Sequence, residues 1–236
     1  MFKKIILIVL VFQLSACNEL QQILENTGNV GLTNFQIANG LKEALQNGVT
    51  NQVTTLGGVD GFYKNELVKI LVPQELQKVD RALRDIGLSN LADKGLKVLN
   101  RAAEDAVGEA IPIFKNAILD MTITDAKNIL MGNQDAATRY LENSSSNALR
   151  GKFTPIIQNS FHKVGADKVW ADVINTYNQI PFIQKVNPNL TEYTTNEAMK
   201  GVFKMVAVEE VKIRTNIKSR TSDLLRRVFS LQDTKN

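Results

Sequence analysis

The stretch TNEAMKGVFKMVAVEEVKIRT, residues 195–215, carries the pattern that decides the fold class. Val202, Val206 and Ile213 recur at the spacing of one helical face, and Glu209 lies on that same face. A long amphipathic helix with a carboxylate at the edge of its apolar side is therefore predicted. Such a carboxylate needs a partner, because burying an unpaired charge is very costly.

A partner is available within the same helix. Glu210 lies on the side toward which Phe203 and Val206 run, and Arg214 follows it by four residues, the spacing of an intrahelical ion pair. A second predicted helix, around residue 100, also carries polar side chains beside an apolar stripe. Together the two helices supply a candidate polar cluster, structural or ligand-binding, made of Asn100, Arg101, Glu104, Glu209, Glu210 and Arg214.

Three interpretations of this cluster are open. In the first, ion pairs pin two packed helices together, with Arg101 reaching a carboxylate of the 195–215 helix. In the second, Asn100 and the glutamates bind a polar ligand or an ion. In the third, paired carboxylates perform acid–base hydrolysis. The first interpretation is preferred, and no catalytic residue is assigned.

Helical spacing of apolar residues extends over most of the chain and predicts an all-α fold. The pattern indicates a single compact multi-helix bundle with about eight helices. At most a short extended segment is expected near residues 67–72, where a β-rich run ends at Pro73. The predicted helices cover residues 33–56, 74–86, 89–121 with a kink or restart at Pro112, 125–131, 136–161 with a bend at Pro155, 166–177, 195–215 and 221–229.

The first residues have the features of a secretory signal. Lys3 and Lys4 precede an apolar run that is too short to span a bilayer, and small residues lead into Cys17. The sequence Leu-Ser-Ala-Cys resembles the lipobox of bacterial lipoproteins, whose cysteine is lipidated. We therefore expect a signal peptide over residues 1–16, a flexible tether over 17–31 that is anchored through Cys17, and a single helical domain over 32–236.

This N-terminus predicts a cell-envelope protein that contacts the membrane through its N-terminal lipid. Asn18 differs from the aspartate that resembles an inner-membrane retention signal in some enteric bacteria, which favours the outer membrane. The periplasmic face is expected, with surface exposure as an alternative. A disulfide is excluded because Cys17 is the only cysteine.

Composition excludes several kinds of site. His162 is the only histidine, so the usual zinc site of several His and Cys ligands cannot be assembled, and no metal or cofactor is expected. The formal net charge of +4 falls to +2 without Lys3 and Lys4. Basic residues near the C-terminus lack the interleaved aromatic residues of a stacking platform, so no nucleic acid is expected. These residues are interpreted as a solvated face, and contact with anionic lipid or another envelope polymer is the alternative: Lys212, Arg214, Lys218, Arg220, Arg226 and Arg227.

Several segments resemble those of one bacterial family. They include GLKEALQNGV at 40–49, NRAAE at 100–104, PIF at 112–114, MTITDA at 121–126, DAAT at 135–138 and GVF at 201–203. The chain is similar over roughly residues 32–229 to the family catalogued as domain of unknown function 4197. The resemblance implies an exported protein, and it brings no activity or catalytic residues with it.

Two functions remain open at this point. The first is a non-enzymatic scaffold or binding module for an envelope protein or an apolar ligand. The alternative is a carboxylate-based hydrolase that acts on an envelope polymer. An enzyme should show convergent acids with a perturbed pKa in a cleft, whereas a binding module should show an exposed apolar patch or an apolar cavity.

Overall fold

The computed structural model of the chain describes residues 32–74, 77–179, 181–182 and 184–233. The predicted signal peptide, Cys17 and the tether lie outside these residues. The architecture described here is that of the compact unit that begins at Phe35.

Helices make up about three quarters of the described part of the chain, which contains no strand, and the all-α prediction is confirmed. None of the described helices is long and apolar enough to cross a membrane. The described residues form nine α-helices, and a 3-10 turn at Ile217–Ser219 separates the last two of them. These are α1 (Asn34–Gly57), α2 (Gln77–Asp85), α3 (Ser89–Val107), α4 (Ala110–Asp120), α5 (Ile123–Leu130), α6 (Ala136–His162), α7 (Ala166–Tyr177), α8 (Leu190–Thr215) and α9 (Asp223–Asp233).

Helix α6 is the central helix and packs against α3, α4, α5, α7 and α8. Its buried positions recur every four residues from Ala137 to Phe161. Because an α-helix has 3.6 residues per turn, each step of four moves the buried stripe around the helix by about 40°, and the whole stripe winds through about 240°. A stripe that winds this far faces different neighbours along its length, which suits a helix surrounded by others.

Two glycines allow elements of the bundle to approach closely. A Cβ atom at Gly40 of α1 would lie 2.7 Å from Cγ2 of Val228 on α9. A Cβ atom at Gly201 of α8 would lie 2.7 Å from Cε1 of Phe62, which is fully buried. Carbon atoms pack best about 3.5–4.0 Å apart. No larger residue therefore fits at either position without movement of the neighbouring side chain.

The segment between α1 and α2 is irregular and lies on the bundle. Residues 66–68 form a turn and residues 69–73 have no regular structure, so the β-rich run near 67–72 does not form a strand. Asp60 turns the chain with a φ of 64°. Phe62 and Ile70 are exposed by only 0% and 2%. The segment is thus fixed by buried side chains, and its backbone groups need partners other than a sheet.

Two helices begin earlier than the sequence predicted. Thr122 caps α5 in a capping box with Asp125, so the helix begins at Ile123 and the predicted start at residue 125 lies inside it. Asn189 caps α8, where its side chain accepts a hydrogen bond from the backbone of the first turn. Thr195, the predicted start, is buried inside α8. In each case a side chain further upstream satisfies donors of the first turn, so the helix extends to it.

The two prolines of the long helical runs occupy different positions in their helices. The chain breaks at Gly108 and Glu109, before Pro112, which occupies the third position of α4. A proline in the first turn of a helix costs little because its missing N–H would have no intrahelical acceptor. Helix α6 runs through Pro155 as one element.

Helix α7 and the residues that follow it form a small satellite core. Ile174 and Val186 are buried there, and Val72, Trp170 and Tyr177 pack against them. This core connects the long loop before α8 to the irregular segment between α1 and α2, because Val72 belongs to that segment.

Candidate functional site

The six residues of the predicted polar cluster occupy two separate places. The first group, Asn100, Arg101 and Glu104, lies on α3, and the second group, Glu209, Glu210 and Arg214, lies on α8. In the described part of the chain, no hydrogen bond or ion pair joins the two groups. Arg101 binds Asp60 and Glu104. The preferred interpretation required Arg101 to reach a carboxylate of α8, and that prediction is wrong.

Asn100 is fully buried and binds the irregular segment through its side-chain amide. Its Oδ1 accepts a hydrogen bond from the backbone N–H of Ile70 at 2.8 Å, and its Nδ2 donates to the carbonyl of Ile70 at 2.8 Å. The second amide proton reaches the carbonyl of Leu96 at 2.7 Å. The Asn100 amide thus gives the backbone of Ile70 the two hydrogen bonds that a neighbouring strand would otherwise provide.

Glu104 holds the other end of the same segment. Its Oε1 accepts hydrogen bonds from the backbone N–H groups of Phe62 and Tyr63, at 3.1 and 3.2 Å. Its Oε2 lies 2.7 Å from Nη1 of Arg101, which also binds Asp60 through Nη2 at 2.8 Å. A hydrogen bond from Lys64 holds the pKa of Asp60 below its ordinary value, and the charge of Arg101 acts in the same direction. This group anchors the irregular segment.

Glu210 and Arg214 form the buried intrahelical pair that their spacing predicted, and that prediction is confirmed at 2.8 Å. Glu210 also accepts hydrogen bonds from the backbone N–H groups of Ala137 and Thr138, at 2.9 and 2.8 Å, and from the Thr138 hydroxyl. Those two N–H groups belong to the first turn of α6, where no intrahelical acceptor exists.

Every donor of Arg214 is used within the protein. Its Nε and Nη2 bind Glu210, and Nη2 also donates to the carbonyl of Ile129 at 2.8 Å. Its Nη1 donates to the carbonyl of Leu130 at 3.0 Å and to Gln232 Oε1 at 2.8 Å. A guanidinium has five N–H donors, and these are five hydrogen bonds. The pair therefore joins the end of α5 and the start of α6 to α8, and it has no donor left for a ligand.

A second buried arginine was missed by the sequence analysis, which placed Arg214 and Arg220 on a solvated face. Arg220 is only 2% exposed, and it donates to the carbonyls of Ile213 and Arg214 at the end of α8. It also binds Asp233, whose pKa this hydrogen bond lowers. A cation at a helix C-terminus compensates the helix dipole. The prediction of a solvated face is wrong for these two arginines, whereas Lys212, Lys218, Arg226 and Arg227 are exposed.

Glu209 lies on the other side of α8 and faces α1. Its Oε2 accepts a hydrogen bond from the Gln52 amide at 2.9 Å, and Lys212 Nζ lies 3.2 Å away. A Cβ atom at Gly48 would lie 3.0 Å from Cγ of Glu209. Glu209 therefore packs closely against α1, and its carboxylate has partners from two helices.

These carboxylates are poorly suited to proton transfer. The oxygens of Glu104 and Glu210 are occupied by hydrogen bonds from backbone N–H groups and arginine side chains of the same chain. A general acid at neutral pH needs a raised pKa, whereas hydrogen bonds lower the pKa of Asp60, Asp125 and Asp233. The described residues contain no group of three His, Cys, Asp or Glu side chains that could hold a metal.

His162 lies at the surface, at the end of α6. Its side chain is 57% exposed, and Nδ1 lies 3.0 Å from Oδ2 of Asp167. This is the geometry of an exposed helix-end pair.

The group on α3 is exposed to solvent at a groove beside Arg101. The groove has a volume of about 510 Å³ and lies between α3 and the end of α6. Val98, Ala102 and Val164 are its apolar residues. Four cations also line it, together with Asp105 and Ser160; these cations are Lys94, Lys97, Arg101 and Lys163.

The sequence contained part of the signal for this groove. Lys94, Lys97 and Arg101 are spaced by three and four residues and so share one face of α3. Lys163 and Val164 follow the end of α6, more than sixty residues away from Arg101 in the chain. Their place in the groove follows from the packing of α3 against α6.

The comparisons with known proteins agree with the resemblance noted in the sequence. No curated protein and no solved structure matches the chain. A family model described as a protein of unknown function (DUF4197) matches residues 31–230, which is most of the chain and nearly all of the described helices. The chain therefore belongs to the DUF4197 family.

Proposed function

We propose that this protein is a non-enzymatic binding module that is exported and anchored in the cell envelope through a lipid on Cys17. The proposal has two parts, location and activity, and each part has its own support and its own experiment.

Location is supported by the N-terminal sequence. Two lysines, a short apolar run and the sequence Leu-Ser-Ala-Cys precede the helical domain. One acyl chain binds a membrane only marginally, so stable anchoring needs more than one chain, and lipoproteins of the kind that Cys17 resembles carry two or three. The residue after Cys17 is Asn18, which favours the outer membrane where the envelope has one.

Binding is supported over catalysis by one observation. Glu104 and Glu210, the most deeply placed carboxylates of the predicted cluster, are held by backbone N–H groups and arginine side chains of the same chain. A carboxylate that acts on a substrate must instead be within reach of the proton it moves. The open groove beside Arg101 offers apolar and cationic residues, which suit a bound ligand.

Location is tested by lipid labelling in cells. The full chain and its Cys17→Ser variant are expressed in a bacterium with two membranes that is fed a clickable fatty acid, and the membranes are separated by density. We expect label only on the unmodified sequence, in the outer-membrane fraction. Equal labelling of both chains would refute the anchor, and label in the inner membrane alone would refute the assignment to the outer membrane.

Activity is tested by native mass spectrometry of the full chain. The protein is extracted from the envelope of its own host in polymer nanodiscs and released in the gas phase. A reproducible adduct of defined mass supports a ligand-binding module. A clean mass of the acylated chain, with no envelope protein attached after crosslinking in the intact membrane, would refute the proposal.

A further inference from the structure

The groove beside Arg101 has an unbalanced charge. Four of its lining residues are cations and only Asp105 is an anion. Asp60 and Glu104 offset the charge of Arg101, so the excess positive charge lies on the three lysines of the lining. The carboxylate of Asp105 already accepts a hydrogen bond from Ser160 at 2.7 Å. Lys97 Nζ lies 5.9 Å from the centre of the Tyr63 ring, which places this cation at the rim by a cation–π contact. The rim therefore attracts anions.

Arg101 adds directed donors to this rim. It is partly exposed, and its hydrogen bonds to described residues use one N–H each of Nη1 and Nη2. A guanidinium has five donors. Unlike Arg214, Arg101 thus keeps donors that none of the described residues binds. Asp60 and Glu104 hold the group in place, so its orientation is fixed before any ligand arrives.

The floor of the same groove is apolar. Val98 and Ala102 come from α3, and Val164 follows the end of α6 with 62% of its surface exposed. The lining runs from Lys94 to Asp105, twelve residues of one helix, and the eleven steps between them correspond to a length of about 16 Å. A ligand that uses the whole groove must combine an extended apolar part with an anionic part.

Size and composition distinguish such a ligand from a protein partner. A volume of about 510 Å³ lies within the range of small-molecule sites, about 300–1,000 Å³. Stable protein interfaces bury well over 1,000 Å² and are depleted in lysine, whereas three of the residues that line this groove are lysines.

We propose that the groove along α3 binds one molecule of a single-chain lipid with an anionic headgroup, with the chain over Val98, Ala102 and Val164 and the headgroup at the cationic rim. This inference rests on the proposed binding function and names its ligand class. The lipid is bound as a single molecule, and the groove is not a site of contact with the bilayer surface.

The test is photo-labelling of the full acylated chain in nanodiscs. The probe is a lysophosphatidylglycerol with a diazirine in its acyl chain, and a monoacylglycerol with the same chain serves as the neutral probe. Peptide mapping separates label in the groove from label deposited by the surrounding bilayer. We expect the anionic probe to label peptides that contain Val98, Ala102 or Val164 at least fivefold more than the neutral probe.

A double variant tests the cationic rim. Lys94→Gln with Lys163→Gln removes two charges at exposed positions of the groove, and Lys127→Gln with Lys204→Gln removes two exposed charges outside it. We expect labelling of the groove to fall about fivefold in the first variant and to stay unchanged in the second. Circular dichroism of both variants checks that the helices are intact.

Several results would overturn the inference. These are equal labelling of the groove by the two probes, label only outside the groove, or equal loss in both double variants, which indicates attraction of the whole protein to anionic lipid. If the groove is not labelled but the chain from the host envelope still carries a defined adduct, the ligand class is wrong and the binding function stands. If neither is found, both proposals fail.

Discussion

Removal of the Glu210 carboxylate should destabilise the protein more than any other single change in the polar cluster. The Glu210→Ala substitution leaves the Arg214 guanidinium buried without its counter-ion, and the side chains of this pair are each only 4% exposed. It also removes the acceptor for the N–H groups of Ala137 and Thr138 at the start of α6. Three helices therefore lose a shared contact.

The magnitude follows from the cost of a buried unpaired charge. Removing one partner of a buried ion pair typically costs about 3–5 kcal/mol. The free N–H groups of α6 place Glu210→Ala toward the upper part of that range, because an unsatisfied buried donor is itself costly. With an m-value of about 2 kcal/mol/M, a loss of about 4 kcal/mol lowers the urea midpoint by about 2 M.

The assay is urea unfolding of the full chain in nanodiscs, followed by circular dichroism. Glu209→Ala is the matched control, because it removes the neighbouring carboxylate from the same helix. Its ion-pair partner, Lys212, is 54% exposed, so we expect a loss of about 1 kcal/mol. The reasoning would be refuted if Glu210→Ala cost less than 1 kcal/mol, or if the two variants were equally destabilised.

A double variant separates the ion pair from its other contacts. Glu210→Met with Arg214→Met removes both charges, and replacing a buried pair by apolar residues is often neutral. Here the carbonyls of Ile129 and Leu130 would also lose their donor. We therefore expect the double variant to stay destabilised by at least about 2 kcal/mol, but by less than the sum of its single variants.

Three further changes test the fold. Thr122→Ala should cost about 1 kcal/mol by removing the cap of α5, whereas Thr124→Ala should be close to neutral in thermal unfolding, and equal losses would place the cap elsewhere. The Thr122 hydroxyl and backbone N–H lower the pKa of Asp125 below 3.8. The stabilisation by the Asp125 carboxylate is therefore present above that value and is lost as the pH falls through the lowered pKa. The Tm difference between the unmodified chain and Asp125→Asn should thus shrink between pH 6 and pH 2.5, and a constant difference would contradict this. Gly201→Ala should cost about 1–3 kcal/mol in urea unfolding, because its Cβ would lie 2.7 Å from a buried phenylalanine ring. Gly151→Ala is also within a helix, but no atom lies within 4 Å of its Cβ, so it should stabilise the protein by about 0.5–1 kcal/mol. A loss of stability at Gly151 would contradict the packing described for α6.

Much of the fold was accessible from the sequence because helical periodicity is a local property. The spacing of apolar residues predicted the α1, α6 and α8 regions, and the interval of four residues predicted the pair of Glu210 and Arg214. Helix starts were less predictable. Thr122 and Thr124 are both acceptable caps by residue type, and only the hydrogen bonds of Thr122 with Asp125 distinguish them.

The burial of Arg220 was not predictable from its position in a basic run. Exposed and buried arginines have the same local pattern there, since Arg226 and Arg227 are exposed while Arg220 is covered. Its burial depends on the carbonyls at the end of α8 and on Asp233, thirteen residues further along the chain. The local charge pattern of the sequence identifies the cations, but it does not show which of them cap a helix inside the fold.

The sequence by itself determined the helical class, the family, and the side chains that must find polar partners: Asn100, Glu104, Glu210 and Arg214. Only the tertiary structure decided what those partners are. Asn100 binds the backbone of Ile70, and Arg214 binds carbonyls of α5 more than eighty residues away. The physical reason is that these partners are backbone N–H and C=O groups, which are the same in almost every residue. No residue pattern marks them, and only the packing of the helices brings them within reach.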